Sequence, residues 1–72
     1  NVNIGENAII TANSVLCGSV KIGKNCWIGS GTVIKNGLVI GDNTTTGIGS
    51  VVVKNFEKGQ AVLVGNPARI LR

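Results

Sequence analysis

The chain has 72 residues, enough for one small domain, and 43% of them are hydrophobic although only one Trp and one Phe are present. Its net charge of +4 comes from scattered Lys and Arg residues without interleaved aromatic residues, which argues against a nucleic-acid partner. No apolar stretch is long enough to span a bilayer, and no signal peptide is visible. Cys17 and Cys26 are expected to be reduced thiols in a cytoplasmic protein, and without any His we expect no metal site.

An aliphatic residue recurs every six positions from Ile4 onward, and this repeat predicts the strands. The series runs Ile4, Ile10, Leu16, Ile22, Ile28, Ile34, Ile40, Thr46 and Val52. Residues two positions apart on a strand lie on the same face. The residue two positions before each member of the series is small in most cases. The repeat therefore predicts short strands, each directing one small and one large side chain to the inside.

The third residue after each position of the series is Asn, Gly or Ser, which predicts a corner. These residues are Asn7, Asn13, Ser19, Asn25, Gly31, Gly37, Asn43, Gly49 and Asn55. Asn and Gly tolerate a positive φ at low cost, so the chain can bend in the same direction every six residues. Three such sides make an 18-residue coil, which predicts a solenoid with coils at 4–21, 22–39 and 40–57.

Residues 18 positions apart are predicted to stack in outward columns. The columns are Val15, Val33 and Val51; Ile9, Trp27 and Thr45; and Lys21, Val39 and Glu57. Aligned apolar residues on a surface usually mark an interface, so we expect the first two columns to contact neighbouring subunits. The alternative is that single surface valines need no explanation.

The repeat stops after Phe56. The remaining chain reads as a turn, a short apolar strand at 61–64, a Gly-Asn-Pro corner and a basic end. We therefore divide the chain into a repeat domain, residues 1–57, and a C-terminal capping tail, residues 58–72. No comparable cap is visible before Asn1, from which we expect a missing N-terminal part.

The residues themselves offer little chemistry. Neither His nor Tyr is present, and the three carboxylates, Glu6, Asp42 and Glu57, are expected to be solvated corner charges. No Ser/His/Asp set, Cys/His set or zinc ligand set exists in the sequence.

The hexads, together with GIGSVVVKNF at 47–56 and GNPARILR at 65–72, resemble the C-terminal part of the hexapeptide-repeat acyltransferases. The likeness is greatest to bacterial sugar O- and N-acyltransferases of the sialic-acid O-acetyltransferase-like and acylglucosamine N-acyltransferase-like groups. The resemblance implies an all-β fold, a left-handed parallel β-helix of about three 18-residue coils with a short C-terminal tail. It also implies a cytoplasmic homotrimer that acylates a hydroxyl or amino group of a sugar or nucleotide-sugar. The pathway implied is bacterial surface-polysaccharide or lipopolysaccharide synthesis.

In this family a catalytic His precedes a segment that Asn1–Gly5 matches. The resemblance places that His immediately before Asn1, where it would act as general base toward the acceptor. We therefore predict no catalytic residue within these 72 residues and expect the chain alone to be inactive.

The resemblance also implies a site for acetyl-CoA, which it favours over acyl carrier protein as the donor. Ala12, Ser30 and Ile48 are predicted to stack on one corner, and the positions matching Ser30 and Ile48 line the pantetheine arm. Trp27 would lie beside this corner and cover the arm.

Lys54, Arg69 and Arg72 match positions that approach the CoA phosphates. The alternative for Lys54 is a solvated corner, and the alternative for Arg69 and Arg72 is a frayed terminus. Two residues depart from the family pattern: Val53 replaces a Thr or Ser, and Ile48 is bulkier than the usual Ala or Gly.

The main alternative is a non-catalytic, trimerising scaffold β-helix, which would need neither Lys54 nor the GNPAR segment. A zinc-dependent carbonic anhydrase of this fold would need three His residues, and an ice-binding β-helix would need a Thr array where only Thr45 points outward. The acceptor sugar and the choice between N- and O-acylation stay open.

Overall fold

Eleven short strands account for the regular secondary structure of the protein, which a computed structural model describes over all 72 residues. They are β1 (Asn3–Ile4), β2 (Ile9–Ile10), β3 (Val15–Leu16), β4 (Lys21–Ile22), β5 (Trp27–Ile28), β6 (Val33–Ile34), β7 (Val39–Ile40), β8 (Thr45–Thr46), β9 (Val51–Val52), β10 (Val62–Val64) and β11 (Arg69–Ile70). The structure contains no helix with the length and apolarity needed to cross a membrane.

Successive coils stack in register and form one sheet on each side of a solenoid. The strand orders are β1-β4-β7, β11-β10-β8-β5-β2 and β3-β6-β9. Every pair among the first nine strands is parallel and joins residues 18 positions apart, as for Trp27 beside Ile9 and Thr45. The predicted all-β parallel β-helix with about three 18-residue coils is confirmed.

Eight of the nine predicted corner residues adopt the left-handed backbone conformation, with φ between 58° and 80°. The prediction is wrong for Asn55, whose Oδ1 instead accepts a hydrogen bond from the Val39 N–H at 2.8 Å. Positive φ values occur a few residues later, at Gly59 and Gln60. The regular corner is therefore lost at the end of the third coil.

The six-residue pattern ends at Phe56, earlier than predicted. Phe56 pairs with Ile40, 16 positions before it, so Glu57 does not stack above Val39 as we expected. The reason is size, because a phenyl ring is too large for the small inward position that the period assigns to it. Phe56 packs instead above Ile40, half-buried against the core.

The tail after Phe56 continues the solenoid on two of its three sides. β10 lies parallel to β8, and β11 lies antiparallel to β10. On the next side, the Val51 N–H donates to Gly65 O at 2.9 Å and the Ala68 N–H donates to Val51 O at 2.8 Å. These contacts suit a cap, while the domain boundary between residues 57 and 58 stays a prediction.

The core is a stack of the large inward side chains, and it is most completely buried in the second and third coils. Ile28 and Ile34 have no exposed surface, whereas Ile4 in the first coil is 49% exposed. Burying one such side chain contributes about 1.5–3 kcal/mol to folding. The buried polar residues are Thr32, Thr44, Thr46 and Ser50. No buried side-chain nitrogen or oxygen lacks a hydrogen-bond partner.

Candidate functional site

Ala12, Ser30 and Ile48 lie one above another where the β2-β5-β8 side meets the β3-β6-β9 side. We call this set the Ser30 corner. The Gly31 N–H donates to Ala12 O at 3.0 Å and the Gly49 N–H donates to Ser30 O at 2.8 Å, which holds the three coils in register. Ile48 projects from the last of these coils and is 86% exposed. The predicted stacking of the three residues is therefore present.

The backbone amides of the Ser30 corner have no partner. None of its three residues donates its N–H to a backbone or side-chain atom of the protein. Amides at a surface corner can be satisfied by an acceptor outside the protein. Because stacked strands repeat at about 4.7–4.9 Å, an extended ligand along the solenoid axis would meet a donor at each coil.

A second corner has the same backbone but different chemistry. It consists of Glu6, Lys24 and Asp42, and we call it the Lys24 corner. Here Asp42 Oδ1 accepts a hydrogen bond from the Lys24 N–H at 2.8 Å. The middle amide is thus already satisfied, and two carboxylates disfavour an anionic ligand.

Trp27 lies on the face next to the Ser30 corner, outward on β5 between Ile9 and Thr45. Its side chain is 48% exposed, and Val15 on the neighbouring face is 51% exposed. Both predicted apolar columns are therefore at the surface of this chain. Their contact with neighbouring subunits stays a prediction.

Lys54 and Arg69 line one cavity of about 340 Å³ next to the end of β9. Val53 and Pro67 contribute to its apolar lining. The Lys54 Nζ also lies 5.7 Å from the centre of the Phe56 ring, within the range of a cation–π contact. Two long cationic side chains around one cavity can bind a phosphate group or another polyanion.

Arg72 is not brought to this cavity. Its carbonyl oxygen accepts from the Val62 N–H at 2.7 Å, whereas Arg69 pairs with Val64 at the opposite end of β10. Three residues of extended chain separate the two arginines by about 10 Å. The structure therefore places two of the three predicted cations together and the third apart.

A second cavity of about 320 Å³ shares Lys54 with the first. Phe56, Ala61 and Ile70 give it an apolar lining, and Lys58 adds a second positive charge beside the Glu57 carboxylate. The sequence did not identify Phe56 or Lys58 as site residues. The signal that could have found Phe56 is its size at a position where the repeat expects a small residue.

Cys26 is a core residue and does not face either cavity. Its Sγ donates a hydrogen bond to Gly41 O at 3.2 Å. Burial raises the pKa of the Cys26 thiol above its ordinary value of 9.0, and this disfavours the nucleophilic thiolate. No group of three or more His, Cys, Asp or Glu side chains is placed to hold a metal ion.

The same fold occurs in solved structures of acetyltransferases. PerB from Caulobacter crescentus, in complex with CoA and GDP-perosamine, is 30% identical with a TM-score of 0.94, and the match covers 99% of this chain and 34% of PerB. Galactoside acetyltransferase in complex with coenzyme A is 34% identical with a TM-score of 0.93, covering 100% of this chain and 44% of that one. The acetyltransferase domain of PglB from Neisseria gonorrhoeae FA1090 is 28% identical with a TM-score of 0.93, covering 97% and 34%.

This chain thus spans about a third to less than half of the length of these structures. No curated protein sequence matches it significantly. Its sequence matches the family described as "Bacterial transferase hexapeptide (six repeats)" over residues 1–36 and 19–54, which together make up most of the chain. The chain belongs to this bacterial transferase hexapeptide family.

Proposed function

We propose that this chain is the acyl-donor-binding part of a transferase that moves an acetyl group from acetyl-CoA to a sugar or nucleotide-sugar. The acceptor atom is a hydroxyl oxygen or an amino nitrogen. The observation that carries the proposal is the Ser30 corner, a line of unpartnered amides along the solenoid axis. Arg69, on the coil above it, shares a cavity with Lys54, which follows β9.

The geometry of the corner suits the two ends of CoA. The pantetheine arm is long and contains two amide carbonyls, which can accept from the free N–H groups of the Ser30 corner. Arg69 lies on the coil above this corner, since it pairs with Val64, and the preceding Leu63 carbonyl accepts from the Gly47 N–H at 2.8 Å. The phosphates would then reach Lys54 and Arg69, and Trp27 would cover the arm from the neighbouring face.

The solved neighbours support this choice of donor and of acceptor class. PerB and galactoside acetyltransferase were solved with CoA, and PerB also with GDP-perosamine. A second structure of the PglB domain, 31% identical with a TM-score of 0.75, contains acetyl coenzyme A. These ligands favour acetyl-CoA over acyl carrier protein for this chain, and a sugar or nucleotide-sugar as acceptor.

The absence of His from the chain limits what it does in the reaction. The acceptor must lose a proton as it attacks the thioester carbonyl and the carbon–sulfur bond breaks. We propose that a group outside these 72 residues removes this proton, and that residues 1–72 bind and orient the donor. The proposed setting is a cytoplasmic homotrimer, joined through the apolar columns, in bacterial surface-polysaccharide or lipopolysaccharide synthesis.

Isothermal titration calorimetry of the chain with CoA tests the donor-binding role. We expect CoA to bind, and dephospho-CoA and pantetheine to bind more weakly because each lacks phosphate that Lys54 and Arg69 would contact. Sedimentation of the same sample tests the trimer. No binding of CoA by an intact trimer would contradict the proposal and favour a scaffold β-helix.

A further inference from the structure

Side-chain hydrogen bonds are concentrated around the Ser30 corner. Eight of the thirteen in the structure involve this corner or the residues that flank it. The hydroxyls that make them belong to Thr11, Ser14, Ser30, Thr32, Thr46 and Ser50. Thr46 is also the one position where the aliphatic series of the core is broken. A buried hydroxyl stabilises the core less than an aliphatic side chain would and must be hydrogen-bonded. We therefore expect this cluster to have a role at the corner.

The cluster holds one peptide group from the inside. The Gly29 carbonyl accepts from Thr32 Oγ1 at 2.7 Å and from Ser14 Oγ at 3.1 Å. The Gly29 N–H donates to Thr46 Oγ1 at 3.0 Å. The Thr32 and Thr46 hydroxyl oxygens lie 2.9 Å apart, and both residues are buried. The backbone at Gly29 is therefore held on both sides by hydroxyls, in addition to the backbone bonds from Thr32 N–H to Gly29 O at 3.2 Å and from Gly29 N–H to Thr46 O at 3.1 Å.

This arrangement determines where the next amide points. The Gly29 carbonyl and the Ser30 N–H belong to one trans peptide, so the two groups point in opposite directions. The Thr32 hydroxyl and the Thr32 N–H both hold the carbonyl inward, the hydroxyl by the shorter bond, and this directs the Ser30 N–H outward. The arrangement recurs one coil later, where Ser50 Oγ donates to Gly47 O at 2.8 Å. The Ile48 N–H belongs to the same peptide as this carbonyl and therefore points outward.

We propose that Thr32 is a positioning residue for the acyl donor. Its buried hydroxyl orients the Gly29–Ser30 peptide so that the Ser30 N–H meets an amide carbonyl of the pantetheine arm, and Thr46 holds Thr32 and Gly29 in place. This inference rests on the proposed function, because it takes CoA as the ligand. A purely structural role for Thr32 would affect stability without a selective effect on CoA binding.

Thr44 provides a matched control at the Lys24 corner. Like Thr32 it has no exposed surface, and its Oγ1 donates to the carbonyl three residues earlier, that of Gly41, at 2.9 Å. We expect both Thr32→Val and Thr44→Val to lower the melting temperature, Thr32→Val the more, because Thr32 Oγ1 also contacts Thr46 Oγ1. Only Thr32→Val should weaken CoA binding, by about fivefold, the loss expected for one misplaced neutral hydrogen bond. Thr32→Ser keeps the hydroxyl and should restore the affinity.

A ligand-free measurement separates this inference from the proposed function. The residual dipolar coupling of the Ser30 N–H in ¹⁵N-labelled protein reports the orientation of that bond. We expect it to change in Thr32→Val and to stay unchanged in Thr44→Val. An unchanged coupling in Thr32→Val, or equal CoA affinities of the two valine variants, would overturn the inference. If wild type does not bind CoA, the proposed function fails, and the coupling alone decides whether Thr32 orients the amide.

Discussion

The Ser30 corner and the Lys24 corner share one backbone and differ in what surrounds it. At the Lys24 corner a carboxylate of the protein, Asp42, takes the middle amide from outside. A buried hydroxyl holds a carbonyl from inside at both corners, Thr32 on Gly29 and Thr44 on Gly41, but at the Ser30 corner the middle amide, Ser30 N–H, is left free. The hexapeptide repeat thus builds equivalent corners, and side chains decide which of them can bind a ligand.

Substituting the glycine inside the Ser30 corner should have the largest effect. A Cβ at Gly29 would lie 2.5 Å from Thr46 O, a backbone atom of the next coil. We expect Gly29→Ala to lower the free energy of unfolding by about 3 kcal/mol, because neither coil can move aside without breaking the stack. Urea denaturation measures this loss.

Gly18→Ala is the matched control for that substitution. A Cβ at Gly18 meets no atom within 4 Å, so we expect a change of less than about 1 kcal/mol. Equal stabilities of Gly29→Ala and Gly18→Ala would show that the coils do not approach as closely as described.

Removing the cations that line the cavity next to the end of β9 should weaken CoA binding without unfolding the protein. We expect Lys54→Gln and Arg69→Gln each to raise the Kd for CoA about tenfold, as for loss of a charged hydrogen bond. Lys24→Gln, at the other corner, should change it by less than about twofold. Calorimetry should also show a smaller effect for Arg72→Gln, since Arg72 lies apart. A larger effect for Lys24→Gln would reverse the assignment of the two corners.

The free energy of unfolding should also distinguish the two corners, because only the Lys24 corner has a carboxylate, that of Asp42, bonded to its middle amide. We expect Asp42→Ala to lower the free energy of unfolding by about 1 kcal/mol, because the Lys24 N–H loses its acceptor. Ile48→Ala truncates an equivalent corner residue that is 86% exposed and bonds to no amide, so its stability should match wild type. Similar losses in both variants would mean that the two corners are held in the same way.

The smallest expected effect is on the pH dependence of the free energy of unfolding, to which Cys26, a core residue two positions after Lys24, contributes. Since burial raises the pKa of this thiol in the folded protein, the unfolded chain loses its proton first as the pH increases. Stability should therefore decline as the pH rises through the ordinary thiol pKa of 9.0 and beyond, and more steeply in wild type than in Cys26→Ala. Parallel pH profiles of the two proteins would contradict this assignment.

The coils and their register could be predicted from the sequence because the same 18-residue period repeats in every sheet. Ile28 follows Ile10 by 18 positions and stacks on it, and Thr46 stacks on Ile28 in the same way. Such a register needs only local alternation and the corner residues. The corner at Asn55 could not be predicted, since the packing of the Phe56 ring overrides the period there.

The candidate site was only partly predictable. The stacking of Ser30 and Ile48 follows from the period, but the separation of Arg72 from Lys54 depends on an antiparallel turn outside the repeat. The hydrogen bonds of Thr32, on which its proposed role rests, could not be predicted either, because bonds between coils depend on rotamers and distances that a linear pattern does not contain.

The most direct test of the central claim is a ¹H–¹⁵N spectrum of the chain titrated with CoA. We predict that the amide signals of Ala12, Ser30 and Ile48 shift with a single Kd. Those of Glu6, Lys24 and Asp42 should stay in place in the same titration. Saturable shifts at the Lys24 corner, with none at the Ser30 corner, would contradict the account.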